Sequence, residues 1–114
     1  DSVFDRLMQD IVVVPPIWPL EIGNVLLVAF KRGRVPRSDF LQLVGRLKEL
    51  PVLIDADSTE YALSGTIELA DQFGLTTYDA AYLELARRRS LPLATLDDRL
   101  RKACVRAGVP TLPE

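Results

Sequence analysis

Three acids stand where an ionised carboxylate is hard to place without a partner. Glu21 lies in a run from Leu20 to Phe30 that is otherwise nearly all apolar, with Asn24, one helical turn on, as its polar companion. Burying charge in such company is costly unless it is paired or bound to a cation. The plainer alternative is that Pro19 opens a helix and Glu21 complements the dipole at its N-terminus. Asp79 ends Thr76-Thr77-Tyr78-Asp79, a hydroxyl followed three residues later by an acid, which is the pattern of a capping box. Its neighbours Ala80, Ala81 and Leu83 suggest a helix that packs closely on something. Asp97 and Asp98 follow Pro92-Leu93-Ala94-Thr95. Thr95 as N-cap would pair with Asp98, and that assignment leaves Asp97 without a structural task.

The chemistry open to these acids is bounded by what the chain lacks. Histidine is absent, which removes the commonest general base, the usual serine-triad partner and the usual zinc ligand together. The single cysteine, Cys104, falls among Leu100, Ala103 and Ala107 at helical spacing and reads as a small buried hydrophobe. No phosphate-binding glycine loop, dinucleotide fingerprint or Gly-x-Ser-x-Gly elbow occurs. Convergent carboxylates without imidazole or thiolate suit a hard, oxygen-preferring cation such as Mg²⁺ or Mn²⁺.

The elements that would position the acids alternate. Ser2 to Gln9 reads as a short helix and Ile11 to Val14 as a buried parallel strand ended by Pro15 and Pro16. An apolar helix from about Pro19 to Lys31 should lie buried, and a second runs from Pro36 or Ser38 to Leu50. Val52 to Ile54 forms a strand. Asp57 and Ser58 cap a helix ending near Gly74, and Thr76 or Thr77 caps another running to about Arg89. Pro92 to Thr95 is a strand, Asp97 to Ala107 a helix, and Val109 to Leu112 a last strand. This order predicts an α/β fold, a three-layer α/β/α sandwich around a central, mainly parallel sheet. Glu21 and Asp97 then fall just beyond the carboxyl ends of strands, the edge where such sheets form ligand sites.

At 114 residues the chain is expected to form one domain, and its 48% apolar and 26% charged content is ordinary for a globular protein. No run approaches the length needed to span a bilayer. A lone cysteine and no secretory signal make a reducing, cytoplasmic compartment the default. The net charge of −2 hides an uneven distribution, because seven of the 14 basic residues lie between Arg87 and Arg106. Arg87, Arg88, Arg99, Arg101 and Lys102 are candidates for contacts to a nucleic-acid backbone, the alternative being a solvated helix face.

Trp18-Pro19-Leu20-Glu21-Ile22-Gly23-Asn24-Val25-Leu26, Thr77-Tyr78-Asp79-Ala80-Ala81-Tyr82 and Leu93-Ala94-Thr95-Leu96-Asp97, in that order, resemble the PIN-domain toxins of the VapC family. The resemblance implies a Mg²⁺- or Mn²⁺-dependent endoribonuclease that is inhibited by a cognate VapB-type antitoxin and is homodimeric. It carries metal-binding and catalytic roles onto Glu21, Asp79 and Asp97, and supporting roles onto Thr95 and Asn24. It also implies a further Asp on a hydrophobic strand preceding all of these, and nothing before Ile11 reads as that strand. The expectation is therefore a single PIN-like domain over residues 1–114 without its first strand.

Two other readings compete. In one the fold is a non-catalytic binding module and every acid is a helix cap. In the other it is a phosphoacceptor domain, which requires a lysine near the acids; Lys31, Lys48 and Lys102 all fall on helices or their ends. Trp18 and Tyr82 read as packing residues.

Overall fold

The computed structural model describes residues 12–114. The expected helix over Ser2 to Gln9 and residue Ile11 lie outside the described residues. Strand β1, Val12–Val14, is the β-branched run, and Pro15 and Pro16 stop it by withdrawing two ladder donors. Helix α1, Trp18–Lys31, follows through a turn in which the Trp18 amide donates to the Pro15 carbonyl at 3.0 Å. Helix α2, Arg37–Glu49, returns alongside it and ends at Leu50, where Pro51 forbids continuation. The two are joined by a Phe30–Phe40 ring stack with centroids 4.9 Å apart.

Strand β2, Val52–Ile54, pairs in parallel with β1, in register Val12 to Val52 and Val14 to Ile54. The single helix expected after Asp57 is broken. Helix α3, Ser58–Tyr61, passes into a π-helical turn over Ala62–Thr66 and then into α4, Ile67–Phe73. Leu63, with φ −98° and ψ 16°, leaves helical geometry there, and Ser64 and Gly65 are poor helix formers that oppose the distortion little. Gly74 terminates α4 in the left-handed region, with φ 65°. Helix α5, Thr77–Arg89, strand β3, Leu93–Ala94, helix α6, Asp98–Ala107, and strand β4, Thr111–Leu112, complete the order. Strands β3 and β4 also pair in parallel.

The fold is α/β with parallel strands flanked by helices, as expected. The central sheet is not continuous among the described residues: β1–β2 and β3–β4 form separate two-stranded pairs. A cleft of about 400 Å³ has Val12–Val14 of β1 and Leu93 and Ala94 of β3 in its lining, together with Tyr82 and Leu85 of α5. Both pairs thus present apolar strand residues to the same cleft.

The core lies in the C-terminal half, where Leu69, Ala80, Leu83, Leu93, Leu100 and Cys104 are buried together. The expectation that α1 is buried fails. No residue of α1 is buried, and Leu20 and Val25 are 72% and 62% exposed, because among the described residues only α2 packs along it extensively. No helix among the described residues is long and apolar enough to cross a membrane.

Candidate active site

Each of the three acids is delivered by a helix N-terminus. Glu21 is in the first turn of α1, five residues after Pro16, which ends the stop that follows β1. Asp79 is in the first turn of α5, whose N-cap Thr76 accepts the Asp79 amide on Oγ1 at 3.1 Å. Asp97 follows β3 and is the N-cap of α6, its Oδ1 accepting the Leu100 amide at 2.8 Å. This corrects the capping assignment made from sequence. Thr95 does not cap the helix; its Oγ1 accepts the Asp97 amide at 3.1 Å, which secures the residue that does. Asp97 therefore has a structural task. Asn24 lies exposed on α1.

The helices bring the acids within electrostatic reach of one another. Partial burial pushes the Asp79 carboxyl above the ordinary carboxylate range, and the charges of Asp97 and Glu21 push it the same way, against a smaller opposing pull from Arg99. A carboxylate crowded by two others is a place where added positive charge is favoured. The donor set is oxygen alone, which fits a hard divalent cation and disfavours zinc or copper. Among the described residues, however, no three acids come close enough together to hold an ion.

Tyr82, read from sequence as packing, belongs to this group. Its hydroxyl donates to Glu21 Oε1 at 2.6 Å across 61 residues of sequence. Burial and the neighbouring charges of Glu21 and Asp79 raise the phenol above its ordinary range, so it stays protonated and remains a donor. The signal for it was available: Tyr82 is three residues after Asp79 and so shares its helix face.

The second missed residue is Asp55, immediately after β2. It is fully buried and accepts from Ser58 Oγ at 2.6 Å, from Arg88 Nη2 at 2.5 Å and from Arg89 Nη2 at 2.8 Å. Arg88 also donates through Nε to Glu84 Oε2 at 2.7 Å. This removes Arg88 from the nucleic-acid candidates, since its guanidinium is occupied inside the protein. Arg101 leaves the set for the same reason, donating to the Thr95 carbonyl at 2.9 Å and the Pro113 carbonyl at 2.6 Å. Arg87 is exposed at the far end of α5. Arg99 and Lys102, with Arg106, line a shallow hollow of about 430 Å³ on α6, where the Arg106 guanidinium lies over the Phe73 ring. Cys104 is wholly buried and burial raises its thiol pKa, in keeping with a packing role.

A family model described as PIN domain matches residues 2–105. The chain belongs to the PIN domain family. Its structure is similar to the crystal structure of PAE2754 from Pyrobaculum aerophilum, with a TM-score of 0.67 and 26% identity over 97% of this chain and 79% of that one. No curated protein matches it. PIN domains are generally nucleases that bind nucleic acid and use divalent metal ions.

Proposed function

We propose that this PIN domain is the catalytic domain of a Mg²⁺- or Mn²⁺-dependent endoribonuclease of the VapC toxin type, with Glu21, Asp79 and Asp97 as metal ligands. The observation that carries the reading is the crowding of Asp79 by the charges of Asp97 and Glu21 in a partly buried position. Ionising Asp79 beside these two acids is unfavourable in the metal-free chain, and a cation bound there would relieve it. The bound cation would supply a water of lowered pKa and neutralise charge on the attacked phosphate. Glu21, held through Oε1 by Tyr82, and Asp79 would orient it from α1 and α5. Asp97 would contribute its oxygen not bonded to Leu100. Arg99 and Lys102 would hold backbone phosphates of the RNA beside the acids.

The cleft between β1 and β3 supports a further part of this reading. Its lining by apolar residues of two parallel pairs suits one more extended strand, which would join them into a single sheet. A VapB-type antitoxin and a second copy of the chain are the partners proposed, and the exposed Leu20 and Val25 of α1 offer apolar surface for such contacts.

The alternative reading, a non-catalytic module whose acids are caps, is favoured by two observations: the commitment of Asp97 Oδ1 to Leu100, and the absence among the described residues of three acids close enough together to hold an ion. An anomalous difference map of Mn²⁺-soaked crystals separates the two. A peak bounded by Glu21, Asp79 and Asp97 that disappears in Asp79→Asn is expected. If no such peak appears and the chain leaves RNA intact in the presence of Mn²⁺, the nuclease reading fails.

A further inference from the structure

We infer that Tyr82 is a positioning residue for Glu21, fixing the carboxylate so that a single oxygen faces the other acids. The inference rests on the proposed metal site and adds to it a residue that touches no ligand itself.

The geometry begins with α5. Asp79 and Tyr82 are one turn apart on the same face, so whatever places one carboxylate also places the phenol. From there the Tyr82 hydroxyl reaches α1 and donates to Oε1 of Glu21 at 2.6 Å, a short bond to a charged acceptor in a partly buried setting. A glutamate has three rotatable side-chain bonds, and in the first turn of a helix it samples several rotamers unless something holds it. Tying Oε1 down leaves Oε2 as the free oxygen and removes most of that freedom before any ligand arrives.

A second observation extends the role. The Tyr82 residue also lines the cleft between β1 and β3. The same residue therefore borders the cleft between the two strand pairs and holds an acid of the candidate site. Filling the cleft would restrict Tyr82 and, through it, Glu21.

The test is a double-mutant cycle read by Mn²⁺ binding to the full chain, followed by electron paramagnetic resonance, with thermal melts to confirm that each variant is folded. Tyr82→Phe keeps the ring and deletes only the hydroxyl. It is expected to weaken Mn²⁺ binding about 10- to 100-fold, as for other groups that orient a metal ligand. Glu21→Gln should weaken it as well, and Tyr82→Phe added to Glu21→Gln should produce almost no further loss, because the hydroxyl acts only through that carboxylate. A purely structural tyrosine would instead weaken binding equally in both backgrounds, and that additivity overturns the inference. So does wild-type affinity in Tyr82→Phe, while Glu21→Gln is weakened; in that case the metal-site reading survives alone. Absence of Mn²⁺ binding in the wild-type chain, or wild-type affinity in Glu21→Gln, overturns both.

Discussion

Arg88 Nη2 lies 2.5 Å from Oδ2 of Asp55, a carboxylate with no solvent exposure at the end of β2. Ser58 and Arg89 complete its hydrogen bonds, and together they fasten β2 to the C-terminal end of α5, the helix whose other end carries Asp79. The bonds from Arg88 are the largest influence on Asp55, followed by opposing burial and then Ser58 and Arg89, and the outcome is a pKa well below the carboxylate range. Asp55→Asn leaves two guanidinium groups facing a neutral partner and should cost about 3–5 kcal/mol in urea unfolding. A loss under about 1 kcal/mol would mean that the cluster behaves as a surface pair. Because the folded pKa is depressed, the stabilisation is present above the unfolded value of about 3.9 and disappears as pH falls through the folded one. The wild-type chain should therefore lose stability steeply below about pH 4, and the variant should show a flatter acid limb.

Asp79 has the opposite sign. Its folded pKa is raised by burial and by Asp97 and Glu21, so its ionisation weakens the metal-free fold as pH rises through the window between the unfolded and folded values. Asp79→Asn should raise stability at pH 7 in chelator by about 0.5–1 kcal/mol and give no gain below the unfolded pKa. Mn²⁺ should stabilise the wild-type chain and leave the variant unchanged. Melting curves with and without the ion decide it; a variant less stable than wild type at pH 7 would show that Asp79 serves α5 as a helix-dipole acid.

The order of elements was legible because the strands are short β-branched or apolar runs bounded by proline and glycine, and the helices carry their stops at Gly74 and Gly108. That Glu21 and Asp97 lie near enough to act on Asp79 follows the grouping their odd company in sequence suggested; their role as ligands is a proposal. The separation of β1–β2 from β3–β4 was not, since strand pairing depends on what lies between strands and not on either strand's pattern. Nor was the exposure of α1, because an apolar helix reads the same whether its cover is present or absent. Asp55 was hidden by an ordinary role, an acid between a strand and a helix, and only its distance to Arg88 and Arg89 reveals burial. Thr95 and Asp97 exchanged tasks because either residue can cap, and one position of offset in the helix start decides which does.

Asp97 carries two claims that substitution can separate. As the N-cap of α6 it accepts the Leu100 amide, so Asp97→Ala should cost about 1 kcal/mol of stability. Asn caps nearly as well as Asp, so Asp97→Asn should keep the stability of the metal-free fold. If Asp97 is also a metal ligand, Asp97→Asn should lose Mn²⁺ affinity by at least about tenfold even though it is fully folded. Equal affinity in Asp97→Asn and the wild type would reduce Asp97 to a cap.

Arg99, Lys102 and Arg106 fall at i, i+3 and i+7 of α6 and share one face, with Arg99 close enough to act on Asp79. A strand of RNA entering the acid centre would thus meet a row of cations leading away from it. Binding of single-stranded RNA in chelator, where no cleavage occurs, should fall linearly with the logarithm of salt concentration, with a slope near −0.7 per phosphate neutralised. Lys102→Gln or Arg106→Gln should each reduce the magnitude of that slope by about 0.7, whereas Lys31→Gln, at the opposite end of α1 from Glu21, should leave it unchanged. Arg88→Gln should destabilise the fold through the loss of Asp55 without altering the slope of the protein that remains folded. An unchanged slope in both Lys102→Gln and Arg106→Gln would make the row a solvated helix face.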